Sequence, residues 1–229
     1  MTPARNRIRW KPSWRLVPSR FPPVGLFDRV SSADDLDVIQ AIEGLTNDRL
    51  RDELGALHLV PEEERVYGPG TTPIMAAFTH LNAEGSRFTD GTYGVYYAAK
   101  TIDTAVAETL FHRARFLAAT KEPPIEIDMR SYASDIDARL HDIRDLQAEL
   151  PAIYHPDPVN YGPAQVFAKS LRAAGSNGIV YSSVRTPGSE CIAVFRPVVL
   201  KPVVQGKHYC YVWDGSKMVN VYVKTEFLQ

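Results

Sequence analysis

The spacing of hydrophobic positions changes several times along the chain, and each change predicts an element. Residues 1–25 carry Pro3, Pro12, Pro18, Pro22 and Pro23 with little periodicity, so they read as an extended arm. Ser32-Ala33-Asp34-Asp35 then looks like a capping box, and Leu36, Ile39, Ile42 and Leu45 follow at helical spacing. Leu50 and Leu54 predict another short helix. Thr72-Pro73 opens a third around Ile74, Met75 and Phe78, with proline in its first turn. From Gly85 the period shortens. Gly85-Ser86-Arg87-Phe88 and Gly94-Val95-Tyr96-Tyr97-Ala98 read as short strands around an Asp90-Gly91 turn.

Thr101 can cap a helix whose Ile102, Val106, Leu110, Arg113 and Leu117 share one stripe. Ser134 is expected to start a helix that buries Ile136, Leu140, Ile143, Leu146 and Leu150 until Pro151 ends it. Pro163 to Ala174 reads as a helix closed by Gly175, because glycine takes the left-handed conformation without a Cβ clash. Gly178-Ile179-Val180-Tyr181 and Cys191-Ile192-Ala193-Val194-Phe195 are strands. Tyr209 to Trp213 and Val219 to Lys224 flank Asp214-Gly215, a hairpin signal. Helices and strands fall in patches rather than in regular alternation. The expected fold class is therefore α+β with a mostly antiparallel sheet, residues 26–229 forming one domain behind the arm.

Composition changes this picture little. The 229 residues are 45% hydrophobic and 23% charged with a net charge of -1, which gives no global reason to bind nucleic acid or an anionic membrane. The charge is uneven, since Arg5, Arg7, Arg9, Lys11, Arg15 and Arg20 precede the first acid, Asp28, with Trp10 and Trp14 among them. Such an arm can grip phosphates or an acidic partner; it can equally be a strap whose tryptophans pack while its arginines stay solvated, which is the preferred reading. No apolar run has the length of a membrane helix or the form of a signal peptide, so a cytoplasmic protein without membrane contact is expected. Cys191 and Cys210 show neither CxxC nor disulfide-framework spacing, and the six histidines include no HxxxH pair, so no metal is expected. Neither GxGxxG nor GxxxxGK[ST] occurs, so a nucleotide would have to be held by side chains.

Two stretches carry candidate chemistry. One runs from Gly85-Ser86-Arg87-Phe88-Thr89-Asp90-Gly91 through Tyr96-Tyr97 to Thr104-Ala105-Val106-Ala107-Glu108. The other is Gly178-Ile179-Val180-Tyr181-Ser182-Ser183-Val184-Arg185, followed after a Pro-Gly turn by Cys191 to Phe195. Glu108 sits within an amphipathic helix, off its apolar stripe, and Ala105 beside it leaves room for a ligand. Taken alone it is an exposed helix glutamate. His112 lies one turn on and can hydrogen-bond Glu108 or stay solvated. Arg87 is either a phosphate clamp or half of a surface ion pair, and Tyr97 is either a stacking residue or a core tyrosine with Tyr96 on the opposite face.

Together with Leu26-Phe27-Asp28-Arg29-Val30, these stretches resemble, in order, the Arg, Glu and Ser blocks that name the RES domain, the toxin component of RES/Xre-type bacterial toxin–antitoxin systems. The resemblance covers residues 25–200. Asp28 separates Phe27 from Arg29 where the family has the aromatic directly before the arginine. Ser182 stands where the family has proline, so the motif serine is Ser182 or Ser183, and the following Val184-Arg185 favours Ser183. The resemblance implies an ADP-ribosyltransferase-like fold and a toxin that cleaves NAD, as substrate, at the nicotinamide–ribose bond. It implies Glu108 as the catalytic carboxylate, with Arg29 and Arg87 on the pyrophosphate, Tyr97 against the nicotinamide and Ser183 bonded to the ligand. It further implies transfer of ADP-ribose to phosphate, water or a protein. Its partner would be a cognate antitoxin that covers the site and itself carries the DNA-binding part. A homodimer or a toxin–antitoxin heteromer would fit. A glycosidase would need a second carboxylate near Glu108, for which Asp90 and Asp103 are weak candidates. A nucleic-acid-binding module would rest on the basic arm alone.

Overall fold

The structure, a computed structural model, describes residues 2–19, 26–30, 32, 34, 35, 55–225 and 227. The helices expected around Leu36, Ile39, Ile42 and Leu45 and around Leu50 and Leu54 lie outside the described residues, as does the side chain of Arg29, which ends a helical turn at Leu26–Arg29. Of the expected capping box, Asp35 N donates to Ser32 Oγ at 3.2 Å.

A seven-stranded sheet organises the rest, in the order β1-β2-β5-β4-β3-β6-β7. Its strands are β1 (Arg5–Pro18), β2 (Tyr96–Ala99), β3 (Ile125–Asp142), β4 (Gly178–Ser182), β5 (Glu190–Val194), β6 (Val204–Trp213) and β7 (Met218–Lys224). β1 also pairs along β3, so strands β1, β2, β5, β4 and β3 close on one another. Only the short β3–β4 contact is parallel among these pairings, in line with the expected α+β class and mostly antiparallel sheet.

The N-terminal segment is extended, as its prolines require, but its residues 5–18 are the strand β1 rather than an arm beside the sheet. Ile8, Trp10 and Leu16 are buried while Arg5, Arg7 and Arg9 face solvent, so an alternating pattern was present beneath the prolines. Two expectations are corrected. The helix expected from Ser134 is the second half of β3. Ile136, Ala138 and Leu140 are buried while Asp135, Asp137 and Arg139 are exposed, which is a period of two. The spacing of four between Ile136 and Leu140 suits a helix and a strand equally, and the polar residues between them decide for the strand. The strand expected at Gly85-Ser86-Arg87-Phe88 is instead a tight turn, with Ser86 N donating to Thr89 O at 2.8 Å. Gly85 takes φ +72°, and a Cβ there would lie 2.4 Å from Thr89 O, so the turn needs glycine.

Helices α1 (Thr72–Thr79), α2 (Ile102–Thr120) and α3 (Gly162–Ala173) follow the expected patterns. Thr101 caps α2 by accepting from Thr104 N, and Gly175, at φ +73°, follows α3. The sheet buries both faces. Tyr96, Ile136, Leu140, Val180 and Ile192 pack with Ile74, Met75 and Phe78 of α1. On the other face, Met129, Tyr181, Cys191, Ala193 and Tyr211 pack with Ala105 of α2 and Ala164, Ala168 and Leu171 of α3. Among the described residues no helix is long and apolar enough to cross a membrane.

Candidate functional site

Helix α2 is held against the sheet by Ala105, Leu117 and the Thr109 hydroxyl, which bonds Tyr211 OH at 2.7 Å. This anchoring carries Glu108, half-buried, to the place where β4 ends and β5 begins. Ser183, the first residue after β4, meets it there. Its hydroxyl donates to Glu108 Oε1 at 2.7 Å. Ser183 Oγ in turn accepts from Arg185 N at 3.1 Å and Thr186 N at 3.0 Å, and Ser183 N donates to Ser189 O, so residues 183–189 form a compact turn built on this one side chain. A hydroxyl has one proton and two lone pairs, and all are engaged. Ser183 therefore has no bonding capacity left for a ligand as it stands, while its proton is committed to Glu108.

Ser182 turns the other way, donating to Arg144 O at 2.7 Å, so of the two serines only Ser183 meets the carboxylate. Cys191 of β5 places its Sγ 4.0 Å from Glu108 Oε1. Burial, and then the Glu108 charge beside it, push the Cys191 thiol well above its ordinary range, so it stays protonated and can only donate. Glu108 Oε1 is thus fixed by a hydroxyl and approached by a thiol, while Oε2 has no hydrogen-bond partner among the described residues.

Tyr97, on β2, faces the same side of the sheet, and Tyr96 takes the opposite face. The Tyr97 hydroxyl accepts from Phe88 N at 2.9 Å and shares a 2.7 Å bond with Ser86 Oγ, so it fastens the 85–89 turn. That turn presents Arg87 inward. Arg87 is 6% exposed, donates to Ile153 O, His155 O and Tyr161 OH at 2.8, 3.0 and 3.1 Å, and lies over the Tyr161 ring. No carboxylate pairs with it among the described residues. Its fork is used to hold the 153–161 segment, while its positive charge is felt at Tyr97, Tyr181, Cys191 and His112.

His112 lies one turn beyond Glu108, as expected, yet no hydrogen bond joins the two among the described contacts. Although part of its surface reaches solvent, desolvation by the surrounding chain and the charges of Arg185, Arg87, Arg115 and Arg113 push its pKa down to about 4. The ring is neutral at pH 7. Arg185, which the sequence used only to place the motif serine and gave no role, has its guanidinium over the Phe111 ring, three residues along α2 from Glu108, and its Nη2 donates to Pro156 O. A cleft of about 880 Å³ opens beside Ser183 between Tyr154 and Pro156 on one side and Val184 and Gly188 on the other. Glu108 does not line it. Glu108, Ser183, Tyr97 and Arg87 thus share one side of the sheet, while Arg29 cannot be placed relative to them.

The RES domain family model matches residues 63–214, which contain every element of this site. The chain is 34% identical over 211 residues to the uncharacterized protein y4oC of Sinorhizobium fredii, covering 91% of this chain and 86% of that one. Among solved structures, the M. tuberculosis MbcT–MbcA toxin–antitoxin complex contains a chain that aligns with a TM-score of 0.46 at 11% identity, over 96% of this chain and 87% of that chain.

Proposed function

The chain belongs to the RES-domain family, and on that premise we propose that it is a toxin-type enzyme that consumes NAD, with Glu108 as its catalytic carboxylate. The observation that carries the reading is the Ser183–Glu108 bond of 2.7 Å. It joins the Glu and Ser blocks in one place and fixes one oxygen of the carboxylate.

Cleavage of NAD breaks the bond between ribose C1′ and the pyridinium nitrogen. The bonding pair leaves with the ring, which becomes neutral nicotinamide, and positive charge develops on C1′ and the ring oxygen of the ribose. A carboxylate that accepts a hydrogen bond from a ribose hydroxyl through Oε2 stabilises that charge most where it is largest, in the transition state. Orientation costs nothing at that moment, because Ser183 and Cys191 already hold Oε1. The acceptor then adds to C1′ through an oxygen and loses a proton. Phosphate, water and a protein side chain all satisfy this step, with depletion of the NAD pool placed ahead of modification of a specific protein. In this reading Ser183 and Cys191 position Glu108, Tyr97 holds the 85–89 turn beneath the nicotinamide end, and Arg87 supplies positive charge from beneath. Arg29 remains a candidate for the pyrophosphate. A chain with this activity acts in the cytoplasm, where NAD is, and requires a neutralising antitoxin over the site; no nucleic-acid contact by the chain itself is needed.

The test is direct. Purified protein incubated with NAD should release nicotinamide, and mass spectrometry of the ribose-containing product with and without added phosphate or lysate should identify the acceptor. An intact NAD pool after prolonged incubation with each acceptor would refute the reading.

A further inference from the structure

Arg185 begins from an unfavourable position. It stands two residues after Ser183, in the turn whose backbone N–H groups saturate the serine hydroxyl. Its guanidinium carbon lies 3.4 Å from the centroid of Phe111, and Nη2 donates to Pro156 O. Its Nε is buried without any hydrogen-bond partner, and no carboxylate pairs with it among the described residues. The neighbouring cations are already engaged: Arg115 pairs with Asp157 at 2.9 Å, and Arg87 holds the 153–161 segment. A guanidinium with one donor buried and unmet is held at a cost, and an oxyanion that accepts from that donor removes the cost.

We propose that Arg185 is a phosphate-holding residue of this site, taking an oxygen of the pyrophosphate while Glu108 acts on the ribose. The inference rests on the NAD reading above and deepens it. In NAD only one ribose and one methylene lie between the cleaved C1′–N bond and the first phosphate. Ser183 bonds Glu108, and Arg185, two residues on, lies over Phe111, three residues along α2 from Glu108, so cation and carboxylate flank the same stretch of the helix. The Phe111 ring shields one face of the guanidinium from water, which strengthens a contact between its in-plane N–H edge and an anion. A lysine cannot reproduce the contact, since an ammonium neither stacks in this way nor offers two parallel donors.

The experiment uses the full chain and two probes in calorimetry: ADP-ribose, which carries the pyrophosphate and is not cleaved, and nicotinamide riboside, which has no phosphate. Wild type, Arg185→Gln and Arg185→Lys are compared, with melting temperatures to show that each is folded. The expected result is a loss of ADP-ribose affinity of about tenfold to a hundredfold in Arg185→Gln, the size of a charge-assisted contact, and a smaller loss in Arg185→Lys. Nicotinamide riboside affinity should stay within about twofold, since that ligand carries no anionic group for the guanidinium to hold. Equal ADP-ribose binding by wild type and both variants overturns the role of Arg185 and leaves the NAD reading standing. An equal loss for both probes makes Arg185 a support of the 183–189 turn and also overturns it. A wild-type protein that binds neither ADP-ribose nor NAD defeats the underlying reading itself.

Discussion

Ser183 is a short side chain with an unusually full set of bonds, and its substitution separates two roles that a serine can have beside a ligand. Ser183→Ala removes the donor to Glu108 Oε1 and the acceptor for two backbone N–H groups. If the serine positions the carboxylate, kcat should fall roughly 10- to 100-fold, the value of a hydrogen bond to a charged group, with KM nearly unchanged. A raised KM at constant kcat would instead put the hydroxyl on the substrate. The candidate carboxylate and serine were legible because their blocks stand in a recognisable order. Their contact was not, since they lie 75 residues apart and meet only through the packing of α2 on β4 and β5. Arg185 was legible as part of the Ser block, but a role for its side chain was not, for a similar reason. Nothing local marks an arginine that comes to rest on Phe111 with an unmet donor.

At the scale of elements, Arg87 joins a glycine-dependent turn to the 153–161 segment through three hydrogen bonds. Arg87→Lys keeps the charge but not the fork, and should cost about 2–4 kcal/mol, a melting temperature lower by roughly 5–10 °C. An unchanged melting temperature with weakened NAD binding would show that the fork serves the ligand rather than the segment. The strand β3 makes a second demand. A helix from Ser134 would leave Ala138 outside, whereas the strand buries it at 8% exposure. Ala138→Lys should therefore destabilise by about 2 kcal/mol or more, while Arg139→Lys, on the exposed face, should be nearly neutral. Urea unfolding of the two variants decides it; a neutral Ala138→Lys would contradict the strand. Helices with a capped start and a clear stripe, such as α2 and α3, could be read from sequence. So could strands with a turn signal at one end, such as β6 and β7. The long strands β1 and β3 could not. Prolines masked the alternation in one, and a spacing of four shared by both periods masked it in the other.

Across the whole molecule, acid should act first through histidine. His141 is buried between β1 and the segment before β4, its Nε2 accepting from Arg5 Nε at 3.2 Å and its Nδ1 bonded to Ser176 Oγ at 2.8 Å. Burial and the Arg5 charge lower its pKa, and a proton on Nε2 would break the Arg5 bond. The unfolded chain, with histidine near its ordinary value of about 6.5, then binds protons more readily than the folded one. Stability should be fully present above that value and should decline as pH falls through it, and His112, held down to about 4, acts in the same direction. Melting temperatures measured from pH 8 to pH 5 should fall on the acid side, and less so in His141→Gln; a flat profile would contradict the buried neutral ring. The sheet, its two cores and the anchoring of α2 together hold the Glu108 carboxylate beside Ser183 and Cys191, and the proposed chemistry rests on that carboxylate. The measurement that reaches it is NAD turnover and NAD affinity for wild type and Glu108→Gln, a change that keeps shape and helix preference but removes the charge. Loss of the charge should lower turnover by several orders of magnitude while NAD affinity changes far less, because the ribose cation exists only on the way to products. A folded Glu108→Gln protein that turns over NAD at the wild-type rate would contradict the account.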